Sequence, residues 1–196
     1  NIYSSSFMVM PRQLLYDVNH FGFLQYFLTN NFNKLKNEDS NYEKEVLKFE
    51  NSFYEFTGIN NLIPLSRARL GIYLYLKHII TSERNEVLLS PFTIFDVVNM
   101  VIAAGGKPVF LDIEEKNNLN ISPQTIKENI SSKTCCFLLT NYHFNYKYLD
   151  DLINICRDQN IKILEDCAIS FGTDNSNKHV GSFSDAAIFS FSLFKF

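Results

Sequence analysis

No tryptophan occurs in the 196 residues, although phenylalanine appears 19 times. Together with abundant Asn and Lys, that imbalance reads as a bias of base composition rather than a function. No apolar run reaches the roughly 18 residues that a membrane-spanning helix needs, so no transmembrane segment and no membrane partner are expected. The opening NIYSSSFMVMPRQ lacks a basic segment followed by a long apolar stretch, so no secretory signal is visible in it. No G-x-G-x-x-G follows an expected strand, which argues against a Rossmann dinucleotide site. The cysteines Cys135, Cys136, Cys156 and Cys167 form no C-x-x-C pair and the histidines are remote from them, so no zinc site is expected. All four lie in apolar stretches and are expected to be buried, reduced thiols of a cytoplasmic protein. A strong charge of either sign is also missing. With 20% charged residues and a net charge of -3, the chain does not read as a nucleic-acid binder.

What is present is enough apolar material, 46% of the residues, for one sizeable core. Residues 1–41 say little: 13–28 fits a helix and the polar stretch 30–41 an exposed linker. From Tyr42 the pattern sharpens. Tyr42, Val46, Phe49, Phe53 and Phe56 recur at helical spacing, and Gly58 stops the helix. An aromatic stripe of this kind is read as core packing. A short strand is expected over 61–65, then a helix from the turn Ser66-Arg67-Ala68 to about Ile80. Strands at 86–89, 107–112, 135–140 and 161–166 then alternate with helices at 92–104, from Ser122-Pro123, and at 148–159. Gly105-Gly106 ends the first of these helices, and the next opens on a serine cap and a first-turn proline. Strands that hardly alternate, separated by helices, predict a parallel sheet covered on both faces.

The chemistry concentrates in IKILEDCAISFGTDNSNKHVGSFSDAAIFSFSLFKF, residues 161–196. One apolar run ends on Glu165-Asp166, and a second, 186–192, ends three residues before Lys195. Ligands of open α/β sheets sit beyond the carboxyl ends of strands, so Asp166 and Lys195 are placed to converge on one small molecule. A carboxylate and a desolvated lysine suit pyridoxal 5'-phosphate (PLP): the lysine holds it as a Schiff base and the acid keeps its pyridine nitrogen protonated. Taken alone, the two residues fit a snorkelling lysine and a loop-capping aspartate better.

The wording around them adds more. Glu165, Asp166, Ala168 and Gly172, followed by Gly181, Ser182, Asp185, Ala186, Ala187, Phe189, Ser190, Phe191 and Lys195, resemble the DegT/DnrJ/EryC1/StrS family of PLP-dependent sugar aminotransferases. EVLLSPFTIFDVVNMVIAAGGKPVFLDI extends the resemblance, which covers about residues 42–196. It implies the large domain of the PLP-dependent transferase fold type I, the aspartate-aminotransferase-like α/β fold. The domain would run over 42–196 behind an N-terminal segment of 1–41. Members continue past the lysine into a small C-terminal domain, so a fragment is expected. The resemblance further implies that Asp166 pairs with the pyridine nitrogen, Ala168 packs on the ring, Ser190 binds the phosphate and Lys195 bonds the cofactor. Ser66 and Arg67 stand where the family commonly has a phosphate-binding Gly-Thr, at a helix start whose free N–H groups and dipole suit an anion. Ser66 as an ordinary helix cap is the alternative. The substrates implied are a nucleotide-linked keto sugar and glutamate as amino donor, handled by a homodimer in amino-sugar or surface-polysaccharide biosynthesis.

The chain departs from that pattern in three places. Ile94 stands where an aromatic residue stacks on the cofactor ring, and Phe95 comes one position later. Ile169 stands where the aminotransferases carry Gln, bonded to the cofactor's 3-hydroxyl, and the family's dehydratases carry His. Leu193-Phe194 replace small or proline residues before the lysine. An aminotransferase is one expectation. A sugar dehydratase, or a non-catalytic homologue that keeps the fold, is the other.

Overall fold

The computed structural model describes residues 42–113, 119–142, 146–175 and 178–191. The helix expected at 13–28, the linker at 30–41, and Leu193, Phe194 and Lys195 lie outside the described residues. The described residues fall into two compact units that divide between Pro64 and Leu65. The first described helix groups with the first unit.

In the first unit that helix is α1, Tyr42–Thr57. Gly58 stops it in the left-handed region at φ 71°, where a residue without Cβ is unstrained. Phe53 is buried, but Phe56, expected on the same face, is 52% exposed. At about 100° per residue, Thr57 lies closer around the helix to Phe53 than Phe56 does. Thr57 is the buried one, its hydroxyl donating to the Phe53 carbonyl at 2.7 Å. The strand expected at 61–65 does not form. Asn61 turns left-handed at φ 61° and Pro64 has no N–H for a ladder.

The second unit is a five-stranded sheet with helices on both faces. Its elements are α2 (Ala68–Ile79), β1 (Glu86–Leu89), α3 (Phe95–Ala103), β2 (Lys107–Phe110), α4 (Pro123–Asn129), β3 (Thr134–Thr140), α5 (Leu149–Asp158) and β4 (Lys162–Asp166). Two short strands, β5 (Asp174–Asn175) and β6 (Lys178–His179), pair antiparallel on their own, and β7 (Ala186–Ile188) follows. The main sheet runs β2-β1-β3-β4-β7 with every pairing parallel. Its order reverses beside β1, and ligands of such sheets bind beyond the carboxyl ends of the strands.

Strand alternation assigns the faces. Val87, Leu89, Cys136, Leu138 and Leu164 pack with Ile72 and Leu76 of α2 and Val97 and Val101 of α3. Leu88, Phe137, Leu139 and Ile163 pack with Ile126 of α4 and with Leu149, Leu152, Ile153 and Cys156 of α5. Burial of each such Leu or Ile is worth about 1.5–3 kcal/mol, and both faces of β1 and β3 are buried throughout, as a parallel sheet requires. Ser122 caps α4, accepting from the Thr125 N–H at 3.1 Å, with Pro123 next. All four cysteines are free and buried. Among the described residues no helix is long and apolar enough to cross a membrane, and no group of three or more His, Cys, Asp or Glu could hold a metal.

Candidate active site

Asp166 is the last residue of β4 and lies at the carboxyl edge, 7% exposed. Its Oδ1 accepts from the Ala168 N–H at 3.0 Å, a short turn that brings Ala168 up beside the carboxylate. Leu164 packs against α2 and α3, and a strand returns to one face every second residue, so Asp166 faces the same side. In the register with β3, Asp166 stands opposite Thr140, and Leu164 opposite Leu138. On its other flank Asp166 stands opposite Ile188. Ser190, half-buried, lies two residues beyond Ile188, past the end of β7. The strand is shorter than the apolar run 186–192 suggests.

α2 begins at this same edge. Gly71, in its first turn, is so close to β7 that a Cβ there would meet Ile188 Cδ1 at 2.8 Å. Its N-cap is Arg67, extended, with no side-chain cap hydrogen bond. Ser66 is therefore not the cap, and the first N–H groups of α2 meet no capping side chain. Ser66 and Arg67 are exposed. Arg69 pairs with Asp96 in the first turn of α3, tying the two helix starts together.

The β1–α3 connection completes the rim. Ser90 Oγ accepts from the Phe92 N–H at 3.2 Å. Tyr142, after β3, donates its phenol hydrogen to the Phe92 carbonyl and so bridges the segments after β1 and β3; burial raises its pKa above the ordinary 10.0. Ile94 is the extended N-cap of α3 and Phe95 its first residue, so the helix starts three residues later than expected. Phe92, Ile94 and Phe95 are 51%, 58% and 76% exposed.

Sequence reading missed the anchor beneath this edge. Glu165 faces the opposite side of β4 from Asp166 and is fully buried. Its carboxylate accepts from Asn141 Nδ2 at 2.8 Å, the Gly181 N–H at 2.8 Å and the Phe183 N–H at 3.0 Å. It joins the end of β3 to the turn that feeds β7. Gly181 belongs there because its φ is 90° and a Cβ would meet the Phe189 ring at 2.3 Å. Asp185 holds the other end of that connection, accepting from Lys162 Nζ at 2.7 Å and the Ile163 N–H at 2.9 Å. Period-two alternation alone would have signalled that Glu165 and Asp166 serve different faces.

Among the described residues, the hydroxyls of Thr93, Thr140 and Ser170 are buried without a hydrogen-bond partner. The family pattern of the DegT/DnrJ/EryC1/StrS aminotransferases matches residues 29–196. The chain belongs to that family. Relatives in it include GDP-perosamine synthase of Vibrio cholerae, 28% identical over 148 residues, which are 76% of this chain and 40% of that protein. The UDP-4-amino-4,6-dideoxy-N-acetyl-beta-L-altrosamine transaminase of Helicobacter pylori is 26% identical over 78% of this chain and 40% of its own length. Among solved structures, Helicobacter pylori PseC, an aminotransferase involved in pseudoaminic acid biosynthesis, superposes with a TM-score of 0.68 at 27% identity. That match covers 74% of this chain and 39% of PseC. The DegT/DnrJ/EryC1/StrS chain described here thus spans about two fifths of the length of those relatives, and its fold is that of PLP-dependent aminotransferases.

Proposed function

We propose that this chain is the cofactor-binding part, residues 42–196, of a PLP-dependent aminotransferase that acts on a nucleotide-linked keto sugar with glutamate as donor. The observation that carries the reading is the placement of the Asp166 carboxylate and the first turn of α2 on one face of the sheet, at its carboxyl edge. The residues present fit the group. A carboxylate suits a pyridinium nitrogen, an α-helix start without a side-chain cap suits a phosphate, and buried hydroxyls without partners suit a polar ring substituent.

Bound there, PLP supplies an electron sink for chemistry at the carbon bearing the amino group. Asp166 keeps a positive charge at the pyridine nitrogen. Ala168 offers a small side chain to one ring face. The N–H groups opening α2, with Ser66, Arg67 and Ser190, hold the phosphate. Lys195 supplies the amine that bonds the cofactor, and it carries protons as general acid and base. A second copy would complete the pocket in a cytoplasmic homodimer. The exposed Phe92, Ile94 and Phe95 at the rim, and the exposed Tyr54 and Phe56 on α1, suit such a contact.

Borohydride reduction of the protein with PLP tests the assignment. The expected label is on Lys195, and Lys195→Ala loses both label and transamination. A label on Lys178, or none, favours the second reading, a non-catalytic homologue. Ile169 motivates that reading, because its side chain can give the 3-hydroxyl no hydrogen bond.

A further inference from the structure

We propose that Thr140 is the hydrogen-bond partner of the cofactor's 3-oxygen, taking the part that Ile169 cannot play. The inference rests on the PLP reading above and concerns a residue that neither the family pattern nor the site motif assigns.

The argument begins with an unmet need on each side. Thr140 Oγ1 is buried and has no hydrogen-bond partner among the described residues, in a residue 7% exposed. Buried hydroxyls are nearly always satisfied, so an orphan calls for a reason. Ile169, half-buried beyond the turn after Asp166, has no polar atom to offer the ring.

The second step is placement. Thr140 and Asp166 are register partners on adjacent parallel strands, so their side chains leave the same face about 4.8 Å apart. That face is the one covered by α2 and α3, since Leu138 and Leu164, two residues earlier on each strand, pack there.

The third step is the handedness of the ring's substituents. In PLP the 3-hydroxyl and the phosphate arm lie on opposite sides of the line from the pyridine nitrogen to the aldehyde carbon. The phosphate cradle, α2's first turn and Ser190, is on the β7 side of β4, where Gly71 approaches Ile188. With Asp166 holding the nitrogen, the 3-oxygen faces away from β7, toward β3. Thr140 is the β3 residue at that level and on that face. Of the other buried hydroxyls without a partner among the described residues, Thr93 Oγ1 follows β1 and lies a strand further from Asp166, and Ser170 Oγ lies in the turn after β4, beside the Cys167 thiol.

The test compares PLP with 3-deoxypyridoxal 5'-phosphate, which lacks only that hydroxyl, by equilibrium binding without amino donor or sugar. Thr140→Val should weaken PLP binding about fivefold, the worth of one net hydrogen bond, and leave 3-deoxy binding unchanged. Thr140→Ser should restore PLP affinity. Cofactor-free Thr140→Val should melt at or above the parent temperature, because it removes a desolvated orphan hydroxyl. Equal weakening for both ligands, no weakening for either, or a PLP-selective loss in Thr93→Val instead would overturn the assignment while leaving the PLP reading intact. A parent protein that binds neither ligand overturns both.

Discussion

Glu165 and Asp166 are adjacent carboxylates with separate tasks, because a strand sends neighbouring side chains to opposite faces. Asp166 opens to the carboxyl edge; Glu165 is sealed beneath it and takes three N–H groups. Buried charge persists only when its lone pairs are used, and here they are. Glu165→Gln would set an amide NH2 either against Asn141 and Gly181, which share Oε2, or against the Phe183 N–H at Oε1, leaving at least one donor buried and unpaired. The expected loss is about 1–3 kcal/mol, read as a lower urea midpoint at unchanged slope. A midpoint equal to the parent's would show that Glu165 anchors nothing. The sequence made Asp166 legible as a carboxylate at a strand end, which is where the structure has it. It left Glu165 as a letter in a motif, since its partners come from 16, 18 and 24 positions away and only the folded sheet brings them together. Thr140 was hidden for a related reason: a threonine ending an apolar strand is unremarkable until its hydroxyl is known to have no partner.

Elements with strong periodicity were legible, and those set by single residues were not. α5 put Leu149, Leu152, Ile153 and Cys156 inside as its spacing requires, and Ser122-Pro123 opened α4 as cap and first turn. The strand expected at 61–65 failed because Asn61 and Pro64 override an apolar pattern. The pair β5–β6 went unseen because Asp174, Asn175, Lys178 and His179 carry no alternation. The turn before β7 is the element on which the site leans most. It is held by Glu165 at Gly181 and Phe183 and by Asp185 against β4, and β7 leads to Ser190. Gly181→Ala forces a side chain into φ 90° and into the Phe189 ring. The expected cost is about 1–3 kcal/mol, seen as a lower Tm. The same turn feeds the phosphate side of the pocket, so PLP affinity should fall with it. Loss of stability with full PLP affinity would separate the turn from the site.

At the scale of the whole unit, the sheet joins two apolar layers, and the thiols sample both. Cys135 and Cys136 lie in the layer under α2 and α3, Cys156 in the layer under α4 and α5, and Cys167 just past β4 at the carboxyl edge. Burial raises the pKa of each: Cys156 is pushed up to about 12, and Cys135, Cys136 and Cys167 also rise above the ordinary 9.0. A raised thiol pKa means the reactive thiolate is scarce at neutral pH, and burial bars the reagent as well. The folded protein should therefore be almost inert to a disulfide reagent at pH 7–8, and all four thiols should react in denaturant. Because β1, β3 and β4 pair continuously through the middle of the sheet, opening one layer exposes the other. The labelling rates of the four cysteines in increasing denaturant should then converge on one opening free energy. A Cys167 that labels well before Cys136, without denaturant, would show instead that the carboxyl edge opens independently of the sheet that carries it.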